Sequence, residues 1–506
     1  MLKFNSYKKG IVFSALFNAA AKILTIALVL IVGYHFGTEK KADIFFFLFA
    51  LIIVISEFAK NVNRSAIIPK LMQLEAHKGR EKSIEFLNTF FYSYLFVALV
   101  LISFTFINSN KLLSLTSNFS SATILGNAKA IHFALIFLAL RLISVYLSET
   151  ALSFKCFTVP MISNNITYGC AIIATLLFHG QFGINAVFYG FIAGALLSIF
   201  FILCVLKKEI GWKITAKFNI PFEVFKKITY AKLWHFSQLL ALYIPIFILT
   251  GLGRGILSSI NYGRQALDAA IYFVVFQFAL IVGIKLNELN VQNKIDELDR
   301  IFKKSTKFLI FITMPAAFLV FIYSSEIIAI LFKRGVFTQT SVDMCSKFLK
   351  YFIFLLPLIA IHTLMSKVNI ATGKIKQAAV YETVVNAILI GIIIWAIGRF
   401  GAVGYPIAML VTFTVANTLG FLIYNKIVFP HIKFVLLIKY LLIVFAVNFI
   451  MAVGLIKIKP FLWQNPILNL CAGSIIYLIA MTLLNFFTNL NKDFNVQLKN
   501  VIKMLR

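Results

Sequence analysis

Residues 10–37 read GIVFSALFNAAAKILTIALVLIVGYHFG, and this stretch decides the fold class. The run from Ile11 to Phe36 is about 26 residues long, enough to cross a ~30 Å hydrocarbon core with some tilt. Lys22 stands near its middle. Ser14, Asn18, Lys22 and Thr25 fall at helical spacing and share one face, while the remainder is mostly Ile, Leu, Val, Ala and Phe. A lysine at mid-bilayer costs roughly 3 kcal/mol on insertion scales, so it belongs against a partner or a wet cavity. Snorkelling to a headgroup is the alternative. The span has about seven turns and Lys22 lies about three from either end, which makes that reach hard.

The rest of the chain has the same character. Of 506 residues, 61% are hydrophobic and only 13% charged, with mean hydropathy +0.93. No soluble globular protein needs so much apolar surface. The apolar runs are far longer than barrel strands, so the expectation is an all-α polytopic membrane protein. Runs centre on 11–36, 43–59, 86–108, 130–154, 157–178, 184–206, 233–252, 262–284, 306–324, 347–366, 377–397, 402–425, 434–456 and 466–488. That is about fourteen transmembrane helices by the length rule.

The net charge of +30 is explained by topology, with no nucleic acid as partner. With the N-terminus inside, one set of loops carries roughly 33 Lys and Arg and the other about 13, as the positive-inside rule requires. An even number of spans places both termini in the cytoplasm. Cys156, Cys170, Cys204, Cys345 and Cys471 lie in or beside apolar runs without ligand spacing, and read as small membrane-buried residues. No cleavable signal peptide is evident, because the first apolar run is too long and carries Lys22.

The chain also repeats. One pair of early spans ends at Gly37 and Gly253, an offset of 216 residues, and the pair Gly180-Gln181-Phe182-Gly183 and Gly398-Arg399-Phe400-Gly401 repeats at 218. Two landmarks at nearly one offset argue for two pseudo-symmetric six-helix lobes of the same orientation. The expected organisation is 1–206 for the N-lobe, 207–232 for a basic cytoplasmic linker, 233–426 for the C-lobe, and 427–506 for two further helices and a cytoplasmic tail. The linker reads equally as an amphipathic surface helix or a solvated loop.

Walker A, Rossmann, H-E-x-x-H and nucleophile-elbow patterns are all absent from the sequence. A transporter is therefore expected rather than an enzyme. No cofactor or metal is expected, and coupling to the membrane potential or a monovalent cation is. Polar stripes mark the candidate inner faces. They are Glu57, Lys60, Asn61 and Arg64; Arg141, Ser144 and Ser148; His235 and Gln238; and Asn261, Gln265, Asp268 and Tyr272. Lys22, Asn18 and Arg141 from the first lobe, with Arg264 and Asp268 from the second, form the candidate cavity site. Converging cations suit an anionic substrate such as a phosphate or pyrophosphate. Each has a plainer reading. Glu57, Lys60 and Arg64 lie near the inner end and fit an interface, Arg264 with Asp268 fits a structural pair, and His235 fits a packed histidine.

Leu331-Phe332-Lys333-Arg334-Gly335-Val336-Phe337-Thr338 resembles the LFxRGxFT signature of the MurJ/MviN lipid II flippases of the MOP exporter superfamily. Phe36-Gly37, Ala42-Asp43, Pro69, Asn261-Tyr262, Pro315, Ala371, Gly373, Asn386, Gly401 and Gly404 add to the likeness, which extends over most of 10–426. The resemblance implies a MOP/MATE-like fold of two six-helix lobes around a V-shaped cavity, plus two helices that make a lipid groove. It implies transfer of an undecaprenyl-pyrophosphate-linked peptidoglycan precursor from the inner to the outer leaflet of the bacterial cytoplasmic membrane, by alternating access and as a monomer. Its partners are then the lipid-linked anionic glycan and membrane lipids. It places Asp43 near an outer portal. Lys22 stands where the family carries an arginine. Family arginines and an aspartate fall instead near Leu28, Val29, Ser56 and Glu57. These departures leave open a flippase for O-antigen or exopolysaccharide units, a cation-coupled exporter of small molecules, or a scaffold without transport.

Overall fold

The computed structural model describes residues 7–215, 222–429 and 434–496, with side chains described for these except 7–15, 108–109, 222–235 and 419. All regular structure among them is helical. Two compact units result, one comprising Met1–Ser258 with Arg334–Phe337, the other Ser259–Lys333 with Thr338–Arg506.

The first unit holds α1 (Tyr7–Phe36), α2 (Lys40–Val62), α3 (Ile68–Thr116), α4 (Ser121–Gly126), α5 (Ala128–Ser153), α6 (Val159–Phe182), α7 (Asn185–Ile210) and α8 (Phe222–Leu249). Its tightest seam joins α6 to α7. A Cβ on Gly190 would lie 2.5 Å from Ala171 Cα, and one on Gly194 would lie 2.7 Å from Thr167 Cα. Lipid offers no hydrophobic drive for helices to associate, so close backbone approach at small residues must supply the contact. Buried hydroxyls reinforce it. Ser198 donates to the Ser163 carbonyl at 2.9 Å, and Thr167 and Ser198 share a hydrogen bond at 3.1 Å. A second core gathers Leu71, Phe86, Leu87, Tyr146 and Trp212, where the Tyr146 hydroxyl donates to the Leu87 carbonyl at 2.7 Å.

The expected domain boundary ran through 207–232. The compact units divide after Ser258, and α8 packs along α2 and the π-turn Asn63–Ile67 that follows it. The Tyr243 hydroxyl on α8 also donates to the Thr116 carbonyl at 2.5 Å. Residues 216–221 of the expected linker, and the side chain of His235, lie outside the described residues.

The second unit takes α9 (Ile256–Ala270) from its fourth residue, then α10 (Gln277–Val291), α11 (Ile295–Ile322), α12 (Ser324–Phe332), α13 (Gln339–Phe352), α14 (Leu355–Ala371), α15 (Ile375–Phe400), α16 (Gly404–Val415), α17 (Phe421–Val428), α18 (Phe434–Ile458) and α19 (Pro466–Thr488). π-turns at Ile271–Phe276 and Ala416–Gly420 join α9 to α10 and α16 to α17. The α18–α19 pair docks on the α11–α12 corner. Lys459 Nζ lies 2.5 Å from Glu326 and 4.6 Å from the centre of the Tyr323 ring. The Tyr323 hydroxyl donates to Asn469 at 3.1 Å.

Among the described residues ten helices are long and apolar enough to span a membrane, or eleven if the bent pair α13–α14 counts as one span. Length and composition thus do not reproduce the expected fourteen, and the reason is visible. One of the ten runs Lys40–Ile107, 68 residues, yet the Tyr94 hydroxyl donates to Asn63 at 3.0 Å. A straight helix would hold residues 31 apart about 46 Å from each other. The chain folds back midway, at Gly79, whose φ of +78° no continuous right-handed helix admits. Ile375–Val428 behaves likewise. The Tyr381 hydroxyl donates to the Ala416 carbonyl at 2.5 Å, with Gly401 at φ +61° between them. Among the described side chains of α8, Phe236–Leu249 forms a further, shorter apolar run.

Candidate functional site

Lys22 and Asn18 lie one turn apart on α1, Lys22 half-buried and Asn18 exposed. The neighbouring face of α6 meets them, since Asn165 donates its amide to the Phe17 carbonyl at 3.3 Å. The next residue back, Asn164, accepts a hydrogen bond from the Arg141 guanidinium at 3.0 Å. In the first unit α6 thus lies between α1, which carries Lys22 and Asn18, and Arg141 of α5, although 123 positions of sequence separate Asn18 from Arg141. Arg141 has a neutral partner, so its charge is not cancelled there.

The polar stripe on α2 divides. Glu57 and Lys60 pair with each other at 2.9 Å. Arg64 leaves them and grips Glu149 of α5 in a bidentate pair at 2.6 and 2.9 Å. Glu149 is buried, and in the sequence it stands between Ser148 and Thr150, off the Arg141–Ser144–Ser148 stripe. Leu28, Val29 and Ser56 are buried, so the positions near which the family arginines fall hold no charge here except at Glu57.

In the second unit Arg264 Nε donates to Asp268 at 3.0 Å, and the Arg264 side chain also hydrogen-bonds Tyr405 of α16. Both charged side chains are about one third exposed (32% and 34%). The carboxylate and phenol fix the guanidinium and leave part of it open. Tyr405 was invisible in the sequence, since it comes from a helix 141 residues away.

Asp43, expected near a portal, is 2% exposed, and its carboxylate is taken up by the backbone. It accepts from the Gly255 amide at 2.6 Å, and from the Ser258 amide and hydroxyl at 2.8 Å each. The carboxylate caps the orphan N–H groups that open α9, where the helix dipole also favours it. Its role is anchorage.

The octapeptide is an anchor as well. Phe332 and Phe337 are buried, Phe332 with its ring 5.0 Å from Tyr262. Leu331 lies in the last turn of α12, and Thr338 caps α13, its hydroxyl accepting from the Ser341 amide at 3.3 Å. Gly335 turns at φ +59°, and a Cβ there would lie 2.3 Å from the Tyr34 carbonyl oxygen. The Val336 amide donates to that same oxygen at 3.0 Å. Arg334 is exposed at the tip. The motif thus pins the end of α1.

An apolar cleft of about 690 Å³ opens between α15 and α16–α17, lined by Val380, Tyr381, Val384, Ile388, Val415 and Ile423. Its walls suit a lipid chain. All five cysteines are free thiols, and no group of three or more His, Cys, Asp or Glu able to hold a metal occurs among the described residues.

Comparison with known proteins bears on the whole chain. A solved structure titled "Lipid II flippase MurJ, inward closed conformation" superposes with TM-score 0.77 and 17% identity, over 94% of this chain and 99% of that one. An inward-facing MATE-family multidrug resistance transporter of the MOP superfamily superposes at 0.69 with 13% identity, over 80% and 94%. These likenesses establish the fold. A probable lipid II flippase MurJ of Borreliella burgdorferi is 21% identical over 436 residues, 83% of this chain and 84% of that one. One of Aquifex aeolicus is 24% identical over 453 residues, 86% and 85%. The family model described as "Lipid II flippase MurJ" matches residues 32–473, from within α1 to within α19, and on that match this chain belongs to the MurJ lipid II flippase family.

Proposed function

We propose that this protein moves lipid II, the lipid-linked peptidoglycan precursor, from the inner to the outer leaflet of the bacterial cytoplasmic membrane. The observation that carries the reading is the family match across residues 32–473. The membrane-length helices supply the setting. Lys22 and Asn18 lie before the matched stretch, so their part rests on chemistry. A pyrophosphate in a membrane needs cations and hydrogen-bond donors in place of water. Lys22 and Arg141 supply them in the first unit. Arg264, oriented by Asp268 and Tyr405, supplies a guanidinium in the second. The apolar cleft on α15–α17 holds a chain of a membrane lipid. The chain works as a monomer with both termini in the cytoplasm, its two lobes alternating access as the sequence repeat supports.

The test is a flipping assay with the purified chain in liposomes and fluorescent lipid II. Arrival of the lipid in the opposite leaflet, dependent on the protein, is the expected result. Movement of an O-antigen-type lipid carrier but not of lipid II would refute the assignment.

A further inference from the structure

Arg141 stands at the middle of α5 (Ala128–Ser153), with about twelve residues of helix on either side of it, roughly 18 Å. That helix is long and apolar enough to span the membrane, so Arg141 starts from near the centre of a ~30 Å hydrocarbon core. A charge at such depth is costly, and it marks a substrate or ion path. A purely structural arginine there meets a carboxylate. Arg141 does not. Its Nη1 donates to Asn164 Oδ1 of α6 at 3.0 Å, and no carboxylate pairs with it among the described residues. The acid on its own helix, Glu149, is taken by Arg64 at 2.6 and 2.9 Å. The hydroxyls close by are spent on one another and on the backbone. Ser144 and Ser163 share a hydrogen bond at 3.4 Å, and Thr167 donates to the Ser163 carbonyl at 2.9 Å. Arg141 and Asn164 are both half-buried, so neither is sealed in the core.

The chemistry of the partner follows from that of the arginine. A guanidinium carries only N–H donors, so the Asn164 carboxamide must give it the oxygen. Nδ2 of Asn164 then points away from Arg141, and its two N–H groups have no partner among the described residues. The pair therefore presents donors and no acceptor. Asn165, the next residue, is committed elsewhere, since its Nδ2 donates to the Phe17 carbonyl of α1 at 3.3 Å. An aspartate at 164 would have the same shape as the asparagine. It would hold the guanidinium more tightly and cancel its charge.

We propose that Asn164 is a positioning residue for the pyrophosphate of the lipid, an inference that rests on the flippase reading. Asn164 fixes the Arg141 guanidinium through a neutral oxygen, so the positive charge is kept for the substrate. Its two Nδ2–H groups stand beside that charge as further donors. A pyrophosphate offers only acceptor oxygens and suits such a pair, whereas a cationic substrate finds neither an opposite charge nor an acceptor. Fixing the side chain matters as well. A long arginine left free has to be ordered when the anion arrives, at a cost to affinity. Leu28, Val29 and Ser56, near which the family cations fall, are buried and uncharged, so a charge cancelled at Arg141 is a large share of what the first unit offers.

The test uses the purified full chain in dodecyl maltoside, with fluorescent lipid II binding and the midpoint of thermal unfolding measured side by side. Asn164→Asp should weaken binding about ten- to a hundredfold. Its midpoint should stay at or above that of the wild type, because Arg141 gains an ion pair. Affinity and stability moving in opposite directions is a result that a merely structural asparagine does not give. Asn164→Ala adds no charge and keeps the test open if the aspartate variant does not fold. It should bind several-fold more weakly at an unchanged midpoint, and Asn164→Gln, which restores a carboxamide, should recover part of the loss. Wild-type affinity in Asn164→Asp or Asn164→Ala, or affinity lost only in step with the midpoint, overturns the proposal and leaves the flippase reading intact. If the wild type does not bind lipid II, the flippase reading fails, and dodecyl phosphate becomes the probe. The wild type should then bind it best and Asn164→Asp worst. No binding by the wild type, or equal binding by Asn164→Asp, overturns the positioning role.

Discussion

At the scale of single residues, two kinds of position carry different burdens. Lys22 is expected to act through charge. Lys22→Ala removes the insertion penalty, so the variant should reach the membrane in normal amount. A lost charge-assisted contact is worth ~1.5–3 kcal/mol, about ten- to a hundredfold in lipid II affinity. Lys22→Arg should retain activity. Flipping normalised to membrane protein checks this, and normal flipping by Lys22→Ala would reduce Lys22 to a tolerated, snorkelling lysine. Gly335 acts through backbone shape. Gly335→Ala combines a left-handed φ with a Cβ 2.3 Å from the Tyr34 oxygen. It should destabilise the protein by about 1–3 kcal/mol, read as a lower midpoint of thermal unfolding in detergent. Lys22 was legible because a charge inside an apolar run stands out. Glu149, Tyr405 and Asn164 were not, because each gains its meaning from a partner on another helix.

At the scale of elements, apolar runs and punctuating glycines locate the helices well. Gly37, Gly183, Gly373 and Gly401 all follow helix ends at positive φ, as the sequence landmark anticipated for Gly37. The G-x-x-x-G at Gly190 and Gly194 is legible in the sequence and sets how closely α6 and α7 approach. Gly190→Leu puts a side chain where Ala171 Cα and the Cys170 carbonyl stand 2.5 Å from the new Cβ. The helices must part, at a cost of roughly 1–3 kcal/mol or more. The expected outcome is reduced yield of folded protein in size-exclusion profiles, while Gly169→Leu, where nothing lies within 4 Å, should behave as wild type. Asp43 shows the limit of reading elements singly. Its carboxylate at the start of α2 resembles a family portal group, and only the structure shows that it caps a helix more than 200 residues downstream.

At the scale of the whole molecule, loop charge sets sidedness. A cysteine placed at Arg300 should be shielded from an impermeant reagent outside the cell, and one at Arg334 should be labelled. The reverse pattern would overturn the orientation with both termini inside. The sequence by itself determined the all-helical membrane class, the positions of the apolar runs and the family likeness, because hydropathy, turn glycines and motifs are local and survive without knowing what packs on what. The tertiary structure decided which charges are spent and which stay available. It gave Arg64 to Glu149, Asp43 to the start of α9, the octapeptide to the end of α1, and Arg141 to Asn164. In a medium without water, the partner of a polar group sets its energy, and that partner is chosen by folding across tens to hundreds of residues.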